Sequence, residues 1–394
     1  MNITYSTLWP SALIMAILLT ILTLPVFKGL YDSDDTRNRV HTIDGLRGFL
    51  AFGVVFSHGQ CFYNITAIGQ CTSNSAFYSL LGTIAVRLFF MITAYLFWSQ
   101  LLYRQGQMQW QSFYIKRFFR IAPVYWFMCL CVFLIVMIET QWTLRVSFFE
   151  FCKQIGAWLA LGILSLPDIN TRLYTGMLVV MVTWTLRYEW LFYVLLPCIS
   201  FFAVHKKRAL WFISAGLWGV FIGSWFVDPH SITSQFFSVL FMFLVGMLCA
   251  TLQYYQMINL KWHNWVKSVL IITAIMIICA GDLYDKMYIL NSILGFIFYL
   301  IISGCSLFGV LTLKSSQKMG EVSYGIYLLQ GIIFNIVYSQ QVVKQYVIQG
   351  PWHFWYVMMG ICVGLLLLAI IVHVILEKPA IRIGQYLSLK IKNY

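Results

Sequence analysis

Arg47 and His58 stand eleven residues apart at the head of an apolar run, 46–68, that is long enough to cross a bilayer. At 3.6 residues per turn this spacing returns to within about 20° of the same helix face and climbs roughly 16 Å. One face then carries a permanent cation at the membrane mouth and an imidazole near mid-bilayer, where an ionisable group is costly and marks function by default. A cation at the entrance and a base deep inside suit an enzyme that draws a charged, elongated reagent in from one side. The cluster Lys116-Arg117-Phe118-Phe119-Arg120, leading into Ile121-Ala122-Pro123, adds two guanidinium groups three residues apart on one helix face. Planar forks of this kind suit phosphate, although basic loops also arise from membrane topology alone. A third group, Trp184-Thr185-Leu186-Arg187-Tyr188-Glu189, sets a carboxylate among aromatic residues inside an apolar stretch. Arg187 and Glu189 are two apart, so on a helix they point to different faces and do not pair. Arg87, Glu321 and His373 also have plainer readings. They are, respectively, a helix-tying ion pair, a charge at a helix N-terminus, and a side chain snorkelling toward the cytoplasm.

The elements that must position these groups follow from composition. The chain has 394 residues, 61% hydrophobic and 10% charged, with a mean hydropathy of +0.80. A soluble domain of this size has no interior large enough for so much apolar surface. The fold class is therefore all-α, a polytopic transmembrane helical bundle. Spanning runs fall at 9–30, 46–68, 79–101, 121–138, 186–204, 209–227, 234–254, 267–281, 287–310, 320–340 and 354–376, about eleven helices. A shorter stretch, 151–166, reads as a re-entrant or surface-lying helix on the outer side. Irregular backbone after it is tolerated only under protein or beside a water-filled cavity, so a central cavity is expected.

The net charge of +13 does not signal nucleic acid, because the cations lie in short loops between apolar spans. Most of them, including Lys28, Arg37, Arg39 and Arg47, then Arg104, Lys116, Arg117 and Arg120, then Lys206, Lys207 and Arg208, and finally Lys378 and Arg382, share one side. Arg145, Lys153, Arg172, Lys286 and Lys344 take the other. The richer side is cytoplasmic, which leaves the N-terminus outside and the C-terminus inside. No Lys or Arg precedes Trp9, so the first apolar run reads as an anchor rather than a cleaved signal. Most of the ten cysteines are small apolar residues within spans. Cys61 and Cys71 bracket a short extramembrane loop, and a disulfide between them is left open.

These segments together resemble the acyltransferase-3 family of integral-membrane O-acyltransferases. Thr42-Ile43-Asp44-Gly45-Leu46-Arg47-Gly48 followed by His58 is similar to its D-G-x-R-G element and arginine–ten residues–histidine motif. Arg87 to Leu96 resembles its second-helix F-F-x-x-S-G-F block, and Arg117-x-x-Arg120-Ile-Ala-Pro123 its R-x-x-R-x-x-P element. Trp184 to Glu189 with Phe192, Tyr193 and Pro197 resembles its W-S-L-x-x-E-x-x-F-Y signature. Ser323-Tyr324-Gly325-Ile326-Tyr327-Leu328 and Glu377-Lys378-Pro379 resemble two closing elements. The order is kept across about 42 to 380. That gives an extra N-terminal helix and loop at 1–41, a catalytic bundle at 42–380, and a cytoplasmic tail at 381–394. Three positions depart from the pattern: Thr93-Ala94-Tyr95 replaces S-G-F, Arg87 stands where an acidic residue is common, and Gln330 stands where histidine is frequent. No role is assigned to Gln330.

The resemblance implies transfer of an acyl group, expected to be acetyl, from cytoplasmic acetyl-CoA to a sugar hydroxyl of a glycan or lipid-linked sugar such as lipopolysaccharide O-antigen. The setting it implies is a bacterial inner membrane. His58 is the expected base, with Glu189 entering from the outer side to bind the sugar or orient the imidazole. Arg47, Arg117 and Arg120 would hold the donor phosphates, and Trp184, Tyr188 and Arg87 would contact the acceptor. No metal is called for, and direct transfer and an acyl-enzyme route both remain open. The competing reading is a proton-coupled transporter of an anionic or sugar substrate, with His58 and Glu189 as a relay. Transporters commonly carry internal repeats, and no second copy of the Arg47–His58 pattern occurs in the later half.

Overall fold

A computed structural model describes residues 7–30, 40–71, 75–228, 231–281 and 287–392. Arg37, Arg39 and Lys286 from the charge count lie outside the described residues. The helices are α1 (Trp9–Ile21), α2 (His41–Ile68), α3 (Ala76–Tyr103), α4 (Trp110–Glu139), α5 (Phe148–Leu159), α6 (Trp184–Ile199), α7 (Lys206–Gly223) and α8 (Ile232–Tyr254). They continue with α9 (Asn264–Ala280), α10 (Met287–Ile302), α11 (Lys314–Glu321), α12 (Ser323–Ser339), α13 (Gln341–Val347), α14 (Pro351–Val372) and α15 (Lys378–Lys392). Among the described residues the only bridge between extended segments joins Ile169 and Arg172.

Each expected span contains a helix, although α1 ends at Ile21 and α10 at Ile302, short of the expected 30 and 310, and length and apolarity qualify only some of them. Among the described residues six helices are long and apolar enough to cross a membrane, or seven if the pair α11–α12, bent by 63°, is one span. Three more apolar helices, α1, α9 and α10, are shorter. The long helix α2 spends several positions on Asp44, Arg47, His58, Gln60 and Asn64 rather than on apolar residues. Large apolar side chains such as Trp211, Trp218, Phe221, Ile272 and Met276 face outward, as a lipid-facing surface requires.

The stretch read as non-spanning is α5, whose twelve residues reach only about 18 Å. It buries Gln154 and Trp158 and exposes Phe148 and Phe149. The irregular backbone that follows is held by Asn170, which is fully buried. Its N–H donates to Gln154 Oε1 (3.0 Å), and its amide nitrogen donates to Thr140 Oγ1 (3.0 Å) and the Thr143 carbonyl (2.8 Å). Its Oδ1 accepts from the Arg145 N–H (2.6 Å). These four bonds fix the backbone around Asn170, while Leu173 and Tyr174 close by are exposed.

Two helix junctions aim the functional residues. Gly45 and Gly320 let α2 cross the segment 310–321 at backbone contact. A Cβ on Gly45 would lie 2.0 Å from the Leu311 carbonyl oxygen, and one on Gly320 would lie 1.8 Å from that of Asp44. Only hydrogen fits at both places. The helix α1 is tied at both ends. The Tyr78 hydroxyl donates to the Thr7 carbonyl (2.9 Å), and Lys318 Nζ donates to the Leu22 carbonyl (2.8 Å). Cys61 and Cys71 are joined by a disulfide, with Cα atoms 4.7 Å apart, so the pairing left open in the sequence is made.

Candidate active site

Among the described residues two adjoining cavities hold the expected site residues. One, of about 360 Å³, takes Asp44 and Arg47 from α2, Arg117 and Arg120 from α4, Glu189 and Tyr193 from α6, and Glu321 from the end of α11. The second, of about 610 Å³, takes Ser57 and His58 from α2, Arg87 from α3, Trp184 from α6, and Ser231 with Ser234, Gln235 and Ser238 at the start of α8. Both volumes fall in the range of small-molecule sites, roughly 300–1,000 Å³. Val86 and Tyr327 line both cavities and form the wall between them. The climb along α2 from Arg47 to His58 therefore runs from one chamber into the next.

In the arginine cavity the three guanidinium groups converge from two helices. The three-residue spacing of Arg117 and Arg120 puts both at the lining, as the helix geometry requires. Arg117 lies over the Phe97 ring, 5.0 Å from its centroid, which fixes the plane of the fork. Among the described residues none of the three arginines forms an ion pair, although Arg117 shares a hydrogen bond with Tyr193. Asp44, Glu189 and Glu321 share the lining, so a phosphate there would be held by directed forks rather than by a uniformly positive potential. The Tyr324 hydroxyl donates to the Ile121 carbonyl (3.1 Å) and joins α12 to α4 beside the forks.

Glu189 lies in the arginine chamber, apart from the imidazole. It does not line the histidine cavity and does not orient the imidazole. Its carboxylate accepts a hydrogen bond from the Tyr193 hydroxyl, one helical turn on, and faces the arginine cavity. The cause is helical phase: Trp184 at the head of α6 reaches the histidine cavity, and five residues later the helix has moved into the other chamber. Arg187 is exposed, so the two do not pair, as expected. Tyr188 lines neither cavity; it packs edge-on against Trp184 (5.7 Å between centroids) and Phe90 and supports the tryptophan instead.

In the histidine cavity, His58 Nδ1 lies 3.1 Å from Gln330 Oε1. Arg87 donates to Asn291 Oδ1 (2.7 Å) and toward the Met287 carbonyl (3.4 Å), which ties α3 to α10 while the residue lines the chamber. The Tyr327 hydroxyl donates toward the Val182 carbonyl (3.2 Å) and meets Thr185 Oγ1 (3.2 Å) at the wall between the chambers. His373 is not a snorkelling side chain. It is buried, with Nδ1 2.9 Å from Glu377 Oε2, within a π-helical turn, His373–Glu377. Glu321 ends α11 at the bend into α12 and faces the arginine cavity.

Sequence reasoning missed Gln330, Tyr327 and the polar stripe of α8. The stripe had a readable signal, because Ser231, Ser234, Gln235 and Ser238 follow the spacing of one helix face at the head of an apolar run. Gln330 carried only the signal of a lone amide inside an apolar span.

Helices of spanning length around two ligand-sized chambers that carry charged and polar side chains define an integral membrane protein with an internal site. The model of the acyltransferase-3 family, described as an acyltransferase domain, matches residues 40–374, and the chain belongs to that family. It is a membrane acyltransferase. No curated protein and no solved structure matches the chain.

Proposed function

We propose that the protein moves an acetyl group from cytoplasmic acetyl-CoA to a sugar hydroxyl of an extracytoplasmic glycan, such as lipopolysaccharide O-antigen, in a bacterial inner membrane. The observation that carries this reading is the pair of chambers along α2, with arginines in one and an imidazole in the next, meeting at Val86 and Tyr327. Arg47, Arg117 and Arg120 bind the donor phosphates, and the thiol arm passes the wall to bring its thioester to His58. His58 takes the proton of the acceptor hydroxyl as that oxygen attacks the thioester carbonyl carbon. The carbon–sulfur bond breaks, and coenzyme A leaves as the thiol, its sulfur taking up the proton. Glu189 with Tyr193 steadies the donor chamber, a positioning part rather than a chemical one.

The histidine cavity suits a hydroxyl-rich acceptor. Its α8 wall offers Ser234, Gln235 and Ser238, all uncharged, and Trp184 offers a flat face of the kind on which sugar rings stack. Orientation with that chamber outside agrees with the cation distribution, and a Cys61–Cys71 disulfide beside it suits an oxidising compartment. About eleven crossings, an N-terminus outside and a C-terminus inside complete the proposal.

The test is acyl transfer by purified protein from labelled acetyl-CoA to a glycan acceptor, with mass spectrometry of surface glycans from cells with and without the gene. An acetyl mark that disappears with the gene, and transfer in detergent, are expected. Gradient-driven sugar or anion uptake in liposomes with no acyl transfer would replace this reading with the transporter.

A further inference from the structure

Gln330 is fully buried on α12, and both ends of its amide are engaged. Its nitrogen, Nε2, donates to the Tyr327 carbonyl at 2.9 Å. A backbone carbonyl can only accept, so the amide cannot be turned over without setting two oxygens against each other. That leaves Oε1, also only an acceptor, 3.1 Å from His58 Nδ1. A neutral imidazole has one N–H and one lone pair, and at this contact the lone pair would face a lone pair. The hydrogen must therefore sit on Nδ1.

We propose that Gln330 is the positioning residue that fixes the His58 tautomer, holding the hydrogen on Nδ1 and leaving Nε2 as the ring's proton acceptor. The arrangement does for a neutral amide what a carboxylate does behind a catalytic histidine: it sets ring orientation and tautomer through the nitrogen that does not react. It also links the site to the wall between the chambers. The carbonyl that orients the amide belongs to Tyr327, whose ring lines both cavities. This inference rests on the proposal that His58 is the base.

Two substitutions separate positioning from packing. Gln330→Met keeps size and apolar contact but removes the acceptor, whereas Gln330→Glu keeps an acceptor for Nδ1 and, when protonated, both bonds. Loss of one net hydrogen bond predicts a fall in kcat of about tenfold for Gln330→Met, with the donor KM within about twofold of the wild type. Gln330→Glu should exceed Gln330→Met. A packing role predicts the reverse order.

The tautomer is read independently by nitrogen NMR of histidine-labelled protein, with the His58 signals identified by their loss in His58→Asn. The expected spectrum has the proton on Nδ1 in the wild type and a changed nitrogen pattern in Gln330→Met. A wild-type proton on Nε2 overturns the inference even if Gln330→Glu fails to fold. So does an unimpaired Gln330→Met in a protein whose His58→Ala variant is inactive, and that result leaves the base assignment standing. Transfer that survives His58→Ala removes the base assignment and this inference together.

Discussion

Replacing His58 with alanine should separate chemistry from donor binding, because the two lie in different chambers. The residue is eleven positions beyond Arg47 on α2, a climb of roughly 16 Å, and lines a cavity that none of the three arginines proposed to hold the donor reaches. Removing a neutral imidazole takes no charge from the arginine forks and deletes no contact to them. A positioned general base contributes typically about 10²–10⁴ in rate, so kcat should fall by that factor while the affinity for coenzyme A stays within about twofold. Transfer of labelled acetyl groups by purified protein measures the first quantity. Calorimetry with coenzyme A measures the second, and size-exclusion elution checks that the variant folds. Gly59 follows directly, and the adjacent helix face packs on Met358 and Phe334, so the small side chain should be accommodated without loss of the bundle. Two outcomes refute the reasoning. Transfer within about threefold of wild type would mean that the imidazole is not the base, and a parallel loss of coenzyme A binding would mean that the two chambers do not act separately.

The donor chamber answers to a complementary change. Arg117→Ala or Arg120→Ala removes charge-assisted hydrogen bonds worth about 1.5–3 kcal/mol, so the acetyl-CoA KM should rise about tenfold to a hundredfold with kcat little changed; an unchanged KM in both returns these arginines to topology. Gly45→Ala sets a methyl group 2.0 Å from the Leu311 carbonyl oxygen. It should cost about 1–3 kcal/mol of stability, visible as a lower melting temperature in detergent, and an unshifted melt would mean that α2 and the 310–321 segment separate easily. The loop closed by Cys61 and Cys71 should react with a membrane-impermeant thiol reagent applied from outside only after reduction. Labelling from the cytoplasmic face alone would invert the proposed topology.

The proposed division of donor and base between two chambers poses a physical problem that the geometry partly answers. Coenzyme A is polyanionic and stays where guanidinium forks and water are available, whereas an acetyl group is small and uncharged. Only the arm and its acyl group need to pass the wall, and that wall consists of one aliphatic side chain, Val86, and one phenol, Tyr327. The phenol is tethered by hydrogen bonds to Val182 and Thr185 at 3.2 Å, which are long enough to exchange for others as the ring swings.

The sequence by itself determined the membrane setting, the helical class and the face shared by Arg47 and His58. Hydropathy and the 3.6-residue period are local properties, and they act before any helix meets another. It also determined that Arg117 and Arg120 look the same way and that Arg187 and Glu189 do not. Only the tertiary structure decided which chamber each residue entered. Glu189 went to the arginines because α6, joined to α4 by the Tyr114–Tyr193 hydrogen bond, turns that residue toward their chamber, and Tyr188 became a support for Trp184. His373 found Glu377 inside a π-helical turn that no periodicity announces. Gln330 met His58 across 272 positions of chain. Contacts of that separation depend on how whole helices cross and tilt, and these are set by packing at places such as Gly45 and Gly320, where a missing side chain rather than a present one brings two backbones together.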